Sequence, residues 1–134
     1  MNEKKITIVL NCPHDIEIRM NSHLLEQAVV NLIDNAINYS KEQSIIEVEG
    51  QEMDDEVIIS VRDFGCGIAK EHLPRLFERF YRVDKARSRK QGGTGLGLSI
   101  VKHIARIHDG QVTVDSIPGR GSMFFIHLPK RKEK

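Results

Sequence analysis

The apolar residues of this chain change period several times, and the order of those periods limits the fold. Helical spacing covers two segments, from Ser22 to about Tyr39 and from Leu96 to His108. Short or alternating apolar runs favour strands at 6–10, 16–18, 45–49, 56–62, 111–115 and 123–128. The elements therefore follow as strands, helix, strands, helix and hairpin, which differs from a regular β-α-β alternation. We predict an α+β fold: a two-layer α/β sandwich with helices on one face of a mixed, mostly antiparallel sheet.

Glycines and polar residues mark the connections between these elements. Residues 63–68 form a glycine turn, a short helix is expected near 71–78, and 117–121 join the last two strands. Gly110 stands where a left-handed residue would end the second long helix. Residues 79–95 are basic and lack a clean period, which indicates a mobile loop, and 130–134 form a frayed tail.

The composition predicts one globular domain covering 1–134. The 134 residues are 40% apolar and 29% charged, which suits a chain that buries a core rather than a disordered one. Lys and Arg number 20 against 19 Asp and Glu, so we expect no nucleic-acid partner and no direct membrane contact. The apolar runs are far shorter than the ~20 residues of a membrane span, and we expect no signal peptide. A cytoplasmic domain, alone or as a piece of a longer protein, is expected.

The two cysteines, Cys12 and Cys66, are too sparse to indicate a disulfide framework. Neither is surrounded by residues at metal-ligand spacing. Both are expected to be thiols in a reducing compartment.

Two asparagines lie four residues apart on one face of the first predicted helix. Asn31 and Asn35 follow Gln27 at helical spacing, beside the apolar stripe. One interpretation is a solvated helix face. The other is a cation site, because an amide oxygen suits Mg²⁺, which takes its remaining ligands from water and substrate phosphates. The pair alone leaves both interpretations open.

Asp63 ends a predicted strand and is followed by Gly65 and Gly67. A carboxylate there can accept a hydrogen bond from an exocyclic amine, while the glycines let a ligand approach the backbone. An Asx turn followed by permissive glycines explains the same residues.

A glycine-rich run, Gly92-Gly-Thr-Gly-Leu-Gly97, leads directly into the second long helix. Backbone amides at a helix N-terminus bind phosphate, which favours a phosphate site over a flexible linker. The preceding segment is basic and carries Arg79, Arg82, Lys85, Arg87, Arg89 and Lys90. It is either solvated surface or a cluster that neutralises a triphosphate.

In this order, the segments resemble the catalytic and ATP-binding domain of bacterial sensor histidine kinases. That family lies within the superfamily of gyrase-type ATPases, heat-shock chaperones and mismatch-repair ATPases, which has the Bergerat-type ATP-binding fold. The matching segments are Asn31–Ser40 (the asparagine box), Asp63–Ile68 (the first glycine box), Leu76–Arg82 (the phenylalanine box), Gly93–Leu98 (the second glycine box) and Gly119–Phe124. The similarity spans roughly 22–129.

The resemblance implies ATP and Mg²⁺ as cofactors and assigns a role to each matching residue. Asn35 would hold Mg²⁺ with Asn31 beside it, and both would belong to the catalytic group with Arg82. Asp63 would bind the adenine amine, and Tyr39 would flank the base. Residues implied to shape the adenine pocket are Gly65, Gly67 and Ile68. Residues implied to meet the phosphates are Arg82 and the glycines Gly93, Gly95 and Gly97. Thr94, Leu96, Leu98 and Arg87 are also implied to bind the nucleotide. Residues 69–95 would form the lid over ATP.

Two positions depart from patterns found among these relatives. Asn38 stands where many relatives have Lys or Arg, so one phosphate contact is missing or is supplied by Arg87. Asn31 stands where ATP-hydrolysing relatives have a Glu that activates water, and an amide cannot act as a general base. The domain is therefore expected to hold ATP and to hydrolyse it poorly.

A histidine kinase also needs a phosphoacceptor histidine on a dimeric helical hairpin. None of the six histidines lies in a stretch like His-Glu-Leu-Arg-Thr-Pro. The implied partners are therefore a histidine-bearing dimerisation domain, absent from this chain, and a cognate response regulator. Two alternatives stay open: an anti-sigma-type protein-serine kinase of the same fold, and a degenerate docking module that no longer turns over ATP.

Overall fold

A computed structural model of the protein describes residues 7–11, 22–40, 44–78 and 97–129. Within these ranges lie five strands, two α-helices and one 3₁₀ helix. In chain order they are β1 (Thr7–Asn11), α1 (Ser22–Tyr39), β2 (Ile45–Glu52), β3 (Glu56–Asp63), the 3₁₀ helix (Lys70–Arg75), α2 (Gly97–Ile107), β4 (Gln111–Ile117) and β5 (Gly121–Pro129).

The five strands form one sheet in the order β1-β2-β3-β5-β4. β1 pairs with β2 in parallel, and the β2–β3, β3–β5 and β4–β5 pairs are antiparallel. The predicted mixed, mostly antiparallel sheet is therefore confirmed. In this order β3 and β5 are neighbours, although α2 and β4 separate them in the chain.

The register of the central strands places one set of apolar residues on a single face. Val57, Ile59 and Val61 of β3 lie opposite residues of β5 that share their face, since side chains alternate along a strand. The helices cover this face: α1 and α2 pack against each other and on the sheet. Core members contributed by the helices and strands include Leu32, Ala36, Val101, Ile104, Phe124 and Ile126. The prediction of helices on one face is confirmed.

The end of α2 differs from the prediction in one residue. Asp109, not Gly110, adopts the left-handed conformation, with φ of 60°. The N–H of Gly110 donates to the carbonyl of Ala105 at 2.7 Å and that of Asp109 to Arg106 at 3.0 Å, which is a Schellman termination. Asp tolerates this conformation. Gly110 is required for another reason, because a Cβ there would collide with the carbonyl oxygen of His127.

The short helix is a 3₁₀ helix, Lys70–Arg75, rather than a segment reaching 78. Pro74 lies inside it and has no backbone N–H to donate, which favours a short segment. Beyond it, Leu76 is buried and Phe77 packs edge-on against Phe124, with ring centroids 6.1 Å apart.

Several predicted features lie outside the described residues: the strand at 16–18, the loop at 79–95, the tail at 130–134 and Cys12. Cys66 is a thiol, as predicted, and the structure shows that it is exposed.

Candidate nucleotide-binding site

Asp63, the last residue of β3, is a nearly fully buried carboxylic acid. The residue is 2% exposed, and its side chain shares the helix-covered face with those of Val61 and Ser122. The Oδ1 atom accepts a hydrogen bond from the N–H of Gly65 at 2.9 Å, and the N–H of Ser122 also donates to the carboxylate. The Asx turn is therefore present. It does not exclude ligand binding, because a carboxylate has about four acceptor positions.

Burial raises the pKa of Asp63 above its ordinary value of 3.8, and the hydrogen bonds from Gly65 and Ser122 act in the opposite direction. Desolvation disfavours the ionised form, while N–H donors favour it. Among the described residues no cationic side chain pairs with this carboxylate. A buried carboxyl with a perturbed pKa, beside a turn of glycines, is a candidate for ligand recognition.

The turn after Asp63 lies directly on the turn between β4 and β5. Gly67 has φ of 75°, and a Cβ at this position would collide with the carbonyl oxygen of Ile117. The N–H of Gly119 donates to the carbonyl of Cys66 at 2.7 Å. Both the backbone conformation and the close approach therefore require glycine at residue 67.

A second close approach involves the first residue of β5. Gly121 has φ of 130°, and a Cβ there would meet the backbone oxygen of Asp63. The backbone that carries Asp63 is thus held between its own turn and the start of β5.

Ser116 and Ser122 belong to the hydrogen-bonded surroundings of Asp63, and the sequence interpretation did not single them out. The Ser116 hydroxyl accepts a hydrogen bond from the N–H of Ile68 at 2.7 Å and lies 2.8 Å from the Ser122 hydroxyl. The two serines are paired in the β4–β5 register, on the face that otherwise holds apolar residues. An inward polar pair in two alternating strands is the signal that could have found them.

Asn31 and Asn35 are both half-buried on α1. The Asn31 Nδ2 donates to the carbonyl of Gly97 at 3.4 Å, which joins α1 to the first residue of α2. The Nδ2 atom of Asn35 is buried and has no hydrogen-bond partner in the part of the chain that the structure describes. Because a buried polar group without a partner is unfavourable, this amide is a place where a ligand would complete the structure.

The Asn35 amide fits the Mg²⁺ site that the resemblance implies. Which end of an amide is oxygen is assigned from its hydrogen bonds, so the unpartnered end can present an acceptor to a cation. Within the described ranges no group of three His, Cys, Asp or Glu could hold a metal ion. A divalent cation here would need most of its ligands from water and phosphate oxygens, which is the usual arrangement for Mg²⁺.

The structure brings some predicted site residues together and leaves others undescribed. Asp63, Gly67 and Ile68 each contact the β4–β5 hairpin, and Gly65 contacts Asp63. Leu98 packs against the core. Gly97 begins α2, where an added Cβ would meet nothing within 4 Å. Tyr39 ends α1, but its side chain lies outside the described residues, as do Arg82, Arg87, Gly93, Thr94, Gly95 and Leu96.

Comparison with known proteins gives one family for this arrangement. Residues 20–132 match the model of the histidine kinase-, DNA gyrase B- and HSP90-like ATPases. The sensor-like histidine kinase SenX3 of Mycolicibacterium smegmatis is 43% identical over 129 residues, covering 96% of this chain and 34% of SenX3. The sensor histidine kinase WalK of Bacillus subtilis is 38% identical over 135 residues, covering 98% of this chain and 22% of WalK.

Solved structures agree with that assignment. The mycobacterial sensor histidine kinase MprB superposes with a TM-score of 0.82 at 30% identity, covering 96% of this chain and 86% of that chain. The catalytic domain of histidine kinase ThkA gives a TM-score of 0.80 at 28% identity, covering 93% of this chain and 80% of that chain. Full-length ShkA in complex with AMPPNP gives a TM-score of 0.81 at 26% identity, covering 97% of this chain and 27% of that chain.

The chain belongs to the family of histidine kinase-, DNA gyrase B- and HSP90-like ATPases. Its fold and relatives are those of the ATP-binding catalytic domains of sensor histidine kinases, as the sequence predicts. The chain spans about a third or less of the length of the curated relatives SenX3 and WalK.

Of the helices in the described ranges, none combines the length and the apolar character needed to cross a membrane.

Proposed function

We propose that this domain binds Mg²⁺-ATP and donates the γ-phosphoryl group to a histidine on a separate dimerisation domain. The observation that carries the proposal is the buried Asp63 carboxylate beside a glycine turn, in the same helix–sheet layer as the asparagine face of α1. AMPPNP, an ATP analogue, is bound in the full-length ShkA structure. That complex supports an adenine nucleotide as the ligand here.

In this proposal Asp63 selects the base. Its carboxylate accepts a hydrogen bond from the adenine amine, while the backbone of Gly65, Gly67 and Ile68 borders the base and Tyr39 flanks it. Burial makes this hydrogen bond strong, because water competes poorly inside the site. Base selection therefore depends on how firmly the turn after β3 is held.

The asparagines orient the phosphate end of the nucleotide. Asn35 would hold Mg²⁺, which, when bound, neutralises charge that develops on the phosphates. Asn31 holds the start of α2 through Gly97. The proposed phosphate-binding residues are Gly93, Thr94, Gly95, Leu96, Gly97 and Leu98. Arg82 and Arg87 would approach the phosphates from the lid at 69–95.

Asn31 also bears on which nucleophile reacts. An amide has no basic atom with which to take a proton from water, so hydrolysis is expected to be slow. The nucleophile is instead the imidazole of the dimerisation domain, and phosphoryl transfer needs mainly positioning and charge neutralisation from the protein. The proposed partners are that domain and, for the phosphorylated histidine, a cognate response regulator. We propose that this domain of the parent kinase lies in the cytoplasm, where ATP is available.

Phosphotransfer in trans tests this function. The chain is incubated with Mg²⁺, γ-labelled ATP and the dimerisation domain of the same kinase, with the Asp63→Asn variant as the control. We expect label on the dimerisation domain that is lost in acid and stable in base, and none on the catalytic domain alone. Acid-stable label would instead indicate a serine or threonine acceptor and would contradict the proposal.

A further inference from the structure

Ser116 lies at the centre of a hydrogen-bonded group that joins three segments around Asp63. Its hydroxyl is 2.7 Å from the N–H of Ile68, 3.1 Å from the carbonyl of Gly121 and 2.8 Å from the Ser122 hydroxyl. The three segments are the end of the glycine turn, the end of β4, which carries Ser116, and the start of β5, where Ser122 donates its N–H to Asp63.

The chemistry of a hydroxyl fixes the direction of these bonds. A serine hydroxyl has one hydrogen and two acceptor positions. The Ile68 N–H must donate, and the Gly121 carbonyl must accept. The Ser116 hydrogen therefore goes to Gly121, and Ser122 donates to Ser116. Every hydrogen-bonding position of the Ser116 hydroxyl is then used, so removing it takes a hydrogen-bond partner from backbone groups on two different segments.

We propose that Ser116 is a positioning residue for adenine recognition; this inference rests on the proposed function of Asp63. Ser116 does not itself contact the base. It fixes the distance between the Asp63 carboxylate and the backbone at 64–68 by bonding the turn at one side and the start of β5 at the other. The adenine amine needs the carboxylate at a defined place, since a hydrogen bond weakens steeply with poor geometry.

The glycine contacts show why a directional hydrogen bond is needed between these segments. Gly67 and Gly121 bring three backbone segments together without any side chain between them. Such contacts set how closely the segments approach but not their sliding along one another. The Ser116 hydroxyl supplies the directional contact between the same segments.

The test compares two nucleotides on each variant. ATP and purine riboside triphosphate, which lacks the 6-amino group, are titrated with Mg²⁺ into the wild type and into Ser116→Ala, Ser116→Thr and Thr113→Ala. Thr113 is the matched control, because it lies on the same strand but its hydroxyl bonds His127 at 3.0 Å on the other face of the sheet. The ratio of the two affinities cancels any unfolded fraction, which lowers both equally.

We expect the wild type and Thr113→Ala to bind ATP more tightly than purine riboside triphosphate. In Ser116→Ala the ratio of the two affinities should fall roughly tenfold, which corresponds to the loss of one buried hydrogen bond. Ser116→Thr retains the hydroxyl and should restore the preference. An unchanged ratio in Ser116→Ala would overturn the inference and leave the role of Asp63 intact. Absence of any preference in the wild type would overturn the adenine role of Asp63, and the inference with it.

Discussion

Asp63 illustrates how a residue proposed to bind the nucleotide is kept at a cost to stability. The side chain is buried in a layer of apolar residues, and its pKa is raised because that layer disfavours the ionised form. Two backbone N–H groups offset part of this cost. A ligand amine would use the remaining acceptor positions of the carboxylate. The buried carboxylate would therefore serve ligand recognition although it lowers the stability of the fold.

The raised pKa predicts how stability depends on pH. Between the ordinary pKa of 3.8 and the raised folded value, the folded state binds more protons than the unfolded state, so the Asp63 contribution to stability falls as pH rises. Above the folded value the penalty is constant. Urea unfolding of the wild type and Asp63→Asn between pH 4 and 7 measures this, because asparagine does not titrate. The wild type should lose stability relative to Asp63→Asn as pH rises; the opposite slope would contradict the burial argument.

Gly67 and Gly119 form a matched pair for testing the close backbone approach. Both have positive φ, 75° and 84°, so alanine at either costs about 1–2 kcal/mol in backbone strain. Only Gly67 has a neighbour in the way, since an added Cβ at Gly119 meets nothing within 4 Å. We expect Gly67→Ala to lower the free energy of unfolding by about 2–5 kcal/mol. Equal effects in urea denaturation would show that the turn does not rest on Ile117 as described.

At the scale of elements, the layer between α1 and the sheet holds the site together. Leu32 lies on α1 one residue after Asn31, is 0% exposed and belongs to the core. Leu32→Ala should reduce the unfolding free energy by about 2–5 kcal/mol through lost contacts and a cavity. Val30 on the same helix is 46% exposed, and Val30→Ala should cost much less. A similar loss for both variants in chemical denaturation would argue against the packing of α1 on the sheet.

The elements that face this layer could be predicted, because their apolar residues repeat at helix or strand spacing. Both long helices and the strands at 45–52, 56–63, 111–117 and 121–129 have strong apolar periods, so their type followed from the sequence. The left-handed conformation of Asp109 could not be predicted from the sequence, because glycine is the usual residue in that conformation. Gly110 is glycine for a separate reason, the close approach of the His127 carbonyl. Strand alternation indicates that Ser116 points inward, but it does not indicate the partners of Ser116, because Ile68 is 48 residues away and Ser122 lies across the hairpin.

At the scale of the whole molecule, the site is assembled from segments distant in the chain. Asn31 meets Gly97 across 66 residues, and Asp63 meets β5 because β3 and β5 are neighbours in the sheet. The segment order was enough to predict the fold class, and the ordered motifs predicted the family through their resemblance to it. The contacts that hold Asp63 depend on tertiary approach distances, which no local pattern encodes.

The most direct test of this account is a calorimetric titration of ATP into the wild type, Asp63→Asn and Asn35→Ala, each with and without Mg²⁺. We expect Asp63→Asn to lose roughly 10- to 100-fold in affinity under both conditions, as for a hydrogen bond to a charged group. Asn35→Ala should lose only the part of the affinity that Mg²⁺ adds. Equal ATP affinity in all three proteins would contradict the assignment of this site.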